Sequence, residues 1–208
     1  MGIFPAKAYG EAGAFCDDYL AEMARAAGAI DRAAFKKAAG LLAETVKRRG
    51  TVFACGNGGS AAIANHLTCD CLKGAQTGTL LKPKVHSLSA NIEVITAIAN
   101  DFAYEQIFSY QLATLAEPGD LLITISSSGN SPNILAALDW ARANGVASIA
   151  MSGFDGGGSP ARADVSLHVA AENYGVVEDL HQSLMHMLAQ FLRLGALTDP
   201  STLGKVKF

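Results

Sequence analysis

TVFACGNGGSAAIANHLTCD, residues 51–70, decides the fold. Its first five residues are apolar or β-branched and read as a buried strand. GNGGS (56–60) then turns the chain. Glycines there let the backbone reach positive φ and come close to a ligand, and Ser60 can cap a following helix. That helix carries His66 and Asp70 four residues apart, and its unpaired N–H groups favour an anion at its start. A strand, a glycine turn and a helix make the first half of a βαβ unit.

The same alternation runs on through the chain. VHSLS (85–89), DLLITIS (120–126), VASIAMS (146–152) and DVSLHVA (164–170) read as four further strands. Helical patterns fall at 60–72, at 92–114 in two pieces, at 132–144 and at 177–195. Strands alternating with helices imply a parallel sheet covered on both faces. Before Thr51 the pattern is helical throughout. Tyr19, Leu20, Met23 and Ala27 recur at helical spacing, then Ala34, Ala38, Leu41, Leu42 and Val46, with Arg48-Arg49 as a basic C-terminus and Gly50 as its cap. We divide the chain into N-terminal helices (1–50), an oligomerisation arm or a cover for the sheet, and an α/β domain (51–208).

A second turn matches the first. SSSGNS (126–131) follows the clearest strand with three consecutive hydroxyls and Gly129, and Pro132 opens a helix. Neither turn is followed by the GK[ST] of a P-loop, and GNGGSA lacks the third glycine of a dinucleotide fingerprint. Two hydroxyl- and glycine-rich turns at the carboxyl edge of one parallel sheet point to a phosphosugar pocket.

Composition narrows the classes. Of 208 residues, 50% are hydrophobic and 17% charged, which excludes a disordered chain. A formal net charge of -3 shows no basic bias, which argues against a nucleic-acid partner. No run of 18 apolar residues suits a membrane, and MGIFPAKAYGEAG does not read as a signal peptide. Cys16, Cys55, Cys69 and Cys71 are expected to be free thiols of a cytoplasmic protein.

Four stretches in order, CGNGGS (55–60), SANIEVITAIAND (89–101), ITISSSGNSPNILAAL (123–138) and SGFDGG (152–157), resemble the sugar isomerase (SIS) domain and, within it, the phosphoheptose isomerase branch. The resemblance implies a three-layer αβα sandwich on a flavodoxin-like five-stranded parallel sheet, assembled as a homotetramer with sites between subunits. It implies conversion of sedoheptulose 7-phosphate to D-glycero-D-manno-heptose 7-phosphate, for lipopolysaccharide or another heptose-containing glycan. By motif, Asn57, Gly58 and Ser60 would contact the sugar phosphate. Ser126, Ser127, Ser128 and Ser131 would cradle it, and Asp101 would line the sugar end.

The catalytic set departs from the family in two places. Where the family has HFAEEL, this chain has HLTCDC (66–71), so Asp70 stands at the position of a glutamate. In the last helix Glu178 replaces the family's glutamine, upstream of His181 and His186. Ketose–aldose isomerisation needs a base at carbon and an acid near oxygen; Asp70 is assigned as base and His186 as acid. His66 and Asp70 share one helical face, and Glu178 and His186 lie about 80° apart on another helix. With them His66, Asp70, Glu178 and His186 form the expected zinc set, one ion per subunit. His181 is read as structural or supporting, and His86 and His168, inside strands, as structural. Two other readings share the fold: a binding module of the replication-initiator-associating type, which loses the catalytic carboxylate and histidine, and a sugar-phosphate sensor. Retention of Asp70 and His186 favours an enzyme.

Overall fold

The computed structural model describes residues 3–205. Two helices come first, α1 (Ala12–Ala29) and α2 (Arg32–Lys47). Strand β1 (Thr51–Gly56) leads into α3 (Gly59–Cys69), and a π-helical turn, Asp70–Ala75, continues it. Then follow β2 (Lys84–Ser87), α4 (Ile92–Asp101), α5 (Ser109–Leu115) and β3 (Leu121–Ser126). After these come α6 (Pro132–Ala143), β4 (Ala147–Ser152), β5 (Val165–His168) and α7 (Tyr174–Leu194), then a 3-10 turn at Pro200–Thr202. All five strands are parallel, in the order β2-β1-β3-β4-β5.

The sheet divides two cores because strand side chains alternate between faces. Val52 and Ala54 of β1 join Leu121, Ile123 and Ile125 of β3 under α2, α3 and α7. Phe53 and Cys55 point the other way, with Leu122 and Ala150, and meet Ile98, Leu112, Ile134 and Leu138 of α4, α5 and α6. β3 is buried along its whole length, so each Ile or Leu there contributes about 1.5–3 kcal/mol of burial. Side chains start the helices that matter. Asp31 accepts from Ala33 N at 2.7 Å, Asn91 from Val94 N at 3.0 Å and Asn173 from Val176 N at 3.1 Å. Tyr19 ties α1 to α7: its hydroxyl donates to Asp179 Oδ2 at 2.6 Å.

Three local expectations change. Gly50 does not take the left-handed position after α2; Arg49 does, at φ 67°. Gly50 is needed for closeness, since a Cβ there would lie 3.1 Å from Thr45 Cγ2. Leu20, at helical spacing with the partly buried Tyr19, Met23 and Ala27, is 55% exposed. His86 is exposed beside Phe53 rather than in a core, whereas His168 is partly buried with Nε2 2.9 Å from the Phe154 carbonyl. All four cysteines are free thiols. Among the described residues no helix is long and apolar enough to cross a membrane.

Candidate active site

The strand order reverses between β1 and β3. β1 is followed by β2 on one side and β3 on the other, so the turns after β1 and β3 open a crevice at the carboxyl edge of the sheet. Those turns are GNGGS and SSSGNS. A cavity of about 130 Å³ lies between them, lined by Asn57, Ser60, Ser126, Ser127, Ser128 and Ser131, with Tyr174 and Glu178 from α7.

The backbone shapes this cleft. Gly58 has φ 55° and caps α3. Gly129 has φ 63°, and a Cβ there would overlap the Gly156 carbonyl, so the serine turn is pressed against the loop after β4. Gly129 N donates to Ser126 Oγ at 3.2 Å, and Ser159 Oγ donates to the Gly129 carbonyl at 2.7 Å. A side-chain bridge joins the two turns. Asn57 Nδ2 donates to Asn133 Oδ1 at 3.0 Å, and Asn133 Nδ2 returns a bond to Asn57 Oδ1 at 2.9 Å. Tyr104 also donates to Asn57 Oδ1, at 3.1 Å. Asn133 and Tyr104 were not singled out from sequence; Asn133 sits in the first turn of the helix that Pro132 opens. Among the described residues Ser127 Oγ is buried with no hydrogen-bond partner, which leaves it a hydroxyl for a ligand in the cleft it lines.

The second half of the site lies further along α3 and α7. These helices run in the same direction, since Gly59 meets Glu178 at their starts while Asp70 meets His186 further on. His186 Nδ1 is 2.7 Å from Asp70 Oδ2, and His66 Nε2 is 3.3 Å from Asp70 Oδ1. The two rings stand edge to face with centroids 4.9 Å apart. His66, Asp70 and His186 each offer a ligand atom within 4.8 Å of the others. Two imidazoles and a carboxylate so placed suit zinc. The side chains are partly open, at 46%, 24% and 37% exposure respectively.

Two expected members are elsewhere. Glu178 does not join this group. Eight residues advance a helix by about 12 Å, so Glu178 stands at the top of α7, its carboxylate against Gly59 and its side chain on the serine cleft. Gln182 takes the place beside the histidines: its Nε2 is 3.1 Å from His66 Nδ1 and 2.9 Å from His186 Nε2. Its signal in the sequence was its position one helical turn before His186. Asp101 ends α4 exposed, its Oδ1 accepting from Asn100 at 2.8 Å, and lines no part of the cleft of its own chain.

His181 faces the sheet and is wholly buried. Neither ring nitrogen has a well-formed hydrogen bond among the described residues. Burial pushes its pKa down to about 4, against a smaller opposing pull from the Ser152 backbone. It is neutral at ordinary pH and belongs to the core.

Comparison with known proteins identifies the family. Residues 15–153 match the SIS domain family. The phosphoheptose isomerase of Nitratidesulfovibrio vulgaris is 38% identical over 149 residues, covering 72% of this chain and 71% of that protein. The phosphoheptose isomerase of Helicobacter pylori strain Shi470 is 37% identical over 148 residues, 71% of this chain and 77% of its own. Among solved structures, the phosphoheptose isomerase of Neisseria gonorrhoeae superposes with a TM-score of 0.79 at 30% identity, covering 86% of this chain and 95% of that one.

Proposed function

The chain belongs to the SIS domain family, in its phosphoheptose isomerase branch, and from that premise we propose that it interconverts sedoheptulose 7-phosphate and D-glycero-D-manno-heptose 7-phosphate. The observation that carries the reading is the contact between Asp70 and His186 at 2.7 Å, on the two helices that also wall the serine cleft. A heptose 7-phosphate carries its anion at one end and reacts at C1 and C2, at the other. Ser60 and His66 are six residues apart on α3, about 9 Å along its axis, which suits a sugar spanning from cleft to cluster.

The phosphate rests on Ser126, Ser127, Ser128 and Ser131 and on the start of α3, where Gly58 and Ser60 sit. Asn57 holds the two turns together through Asn133. Asp70 takes the proton from C1 and returns it to C2, while His186 moves a proton between the two oxygens of the enediol. His66, Asp70 and His186 would hold zinc, one ion per subunit, and a bound zinc would then polarise the carbonyl oxygen in place of the His186 proton. Each oxygen of Asp70 faces a different histidine, so one carboxylate can serve two neighbours.

In this reading the enzyme is a homotetramer, residues 1–50 contribute to assembly, and Asp101 serves the cleft of a neighbouring copy. Support comes from Phe15, Leu20, Phe102, Tyr110 and Leu115, apolar or aromatic side chains left exposed on one chain. The reaction is placed in the cytoplasm, supplying heptose for lipopolysaccharide or another glycan.

Asp70→Ala tests the assignment. Turnover of sedoheptulose 7-phosphate should fall at least about 100-fold, while calorimetry shows the sugar phosphate still bound. Undiminished turnover would remove Asp70 from the chemistry; a wild type that binds the sugar phosphate without turning it over would favour a sensor.

A further inference from the structure

Gln182 lies between the two imidazoles, and its place follows from hydrogen-bond logic. An amide nitrogen only donates. Gln182 Nε2 has two hydrogens and two ring nitrogens in reach, His66 Nδ1 and His186 Nε2, so both of those must accept. The opposite nitrogens, His66 Nε2 and His186 Nδ1, face Asp70 and carry the ring hydrogens. The four side chains thus close a ring in which Asp70 accepts from two imidazoles and Gln182 donates to both.

A divalent cation reverses the demand. An ion held by Asp70 and the two histidines would take the lone pairs of the ring nitrogens on the Asp70 side. The hydrogen of each imidazole is then on the other nitrogen, the one facing Gln182. An amide nitrogen cannot accept it, but the amide oxygen of the same side chain can. A ligating histidine ordinarily donates its second N–H to a carbonyl or carboxylate, and that partner orients the ring.

We propose that Gln182 is a positioning residue shared by both imidazoles, presenting its amide nitrogen to them when the cluster holds no cation and its carbonyl oxygen when a divalent cation is bound. This rests on the zinc reading of His66, Asp70 and His186. It gives Gln182 the place beside the histidines that Glu178, turned toward Gly59 and the serine cleft, leaves open.

The test is zinc affinity of the full chain, measured by competition with a chromophoric chelator, for wild type, Gln182→Leu, Gln182→Glu and Asp70→Ala. Gln182 is half-buried on the surface of α7, and circular dichroism melts confirm that each variant is folded. Gln182→Leu should bind zinc about 10–100-fold more weakly than wild type. Gln182→Glu, whose carboxylate accepts from both rings, should bind at least as tightly as wild type. Nitrogen-15 shifts of His66 and His186 in the wild type should show the ring hydrogens changing nitrogen on zinc addition. Equal affinity in Gln182→Leu and wild type would overturn the proposal and leave the zinc site standing. A Gln182→Glu variant as weak as Gln182→Leu would overturn the acceptor role. Absence of binding in the wild type, or binding undiminished by Asp70→Ala, would overturn the zinc reading and the proposal with it.

Discussion

The serine cleft is walled by main chain. Its shape comes from strand ends, from glycines at φ 55° and 63°, and from hydrogen bonds into the loop after β4. The histidine cluster, about 9 Å further along α3, is instead built of long side chains from two helices, half open to solvent and bonded mainly to one another. The difference matches two tasks. An anion needs a stiff cradle whose donors are already aimed, whereas a proton carrier needs groups that can change partners. Binding should therefore depend on the cleft and turnover on the cluster.

The largest effect that could break this division is at His186. His186→Ala should lower kcat by about 10²–10⁴-fold with little change in KM, read from steady-state kinetics. A rise in KM alone would move His186 to the binding side.

Next in size is the contrast between the two histidines of α7. His181 takes a proton only near pH 4 when folded, against 6.5 when unfolded. Below pH 6.5 the unfolded chain therefore binds more protons, and stability falls as pH drops toward 4. The loss approaches about 3 kcal/mol. Urea midpoints at pH 7 and pH 4.5 should separate the wild type from His181→Leu, whose stability is the less acid-sensitive. An equal acid loss in both would contradict the buried neutral ring.

Gly129→Ala sharpens the claim that the cleft is set by backbone. A Cβ at φ 63° facing the Gly156 carbonyl should cost about 1–3 kcal/mol of stability and weaken sugar-phosphate binding, measured by melting and calorimetry. Ser128→Ala is the narrowest change, since it acts on binding alone. Losing one hydroxyl bond to a charged oxygen costs about 1.5–3 kcal/mol, so KM should rise at least about tenfold with kcat nearly kept.

How far the sequence carried follows the same contrast. The strands and both turns were legible because buried parallel strands read as apolar runs, and glycine and serine turns declare their backbone needs. Ser126, Ser127, Ser128 and Ser131 fell into one cleft since they are neighbours in the chain. The cluster was only partly legible. His66 and Asp70 are one helical turn apart, so their meeting followed from periodicity. Which residue of α7 would face them depended on the height at which two helices pack. A shift of one turn along α7 exchanges Glu178 for Gln182, and motif matching has no measure of that height. Asp101 differs for another reason: the end of α4 turns it to solvent, away from the cleft of its own chain, so its proposed role depends on a neighbouring copy. At Gly50 a composition rule for helix ends gave way to local crowding by Thr45, one turn back in α2.

The central claim is that this cleft and this cluster together isomerise a heptose phosphate. The most direct test is proton and phosphorus NMR of the purified protein with sedoheptulose 7-phosphate, after chelation and again with added zinc. The anomeric signals of an aldoheptose 7-phosphate should grow at the expense of the ketose, faster with zinc, until both sugars stand at equilibrium. Signals that stay those of the ketose in both conditions would contradict the account.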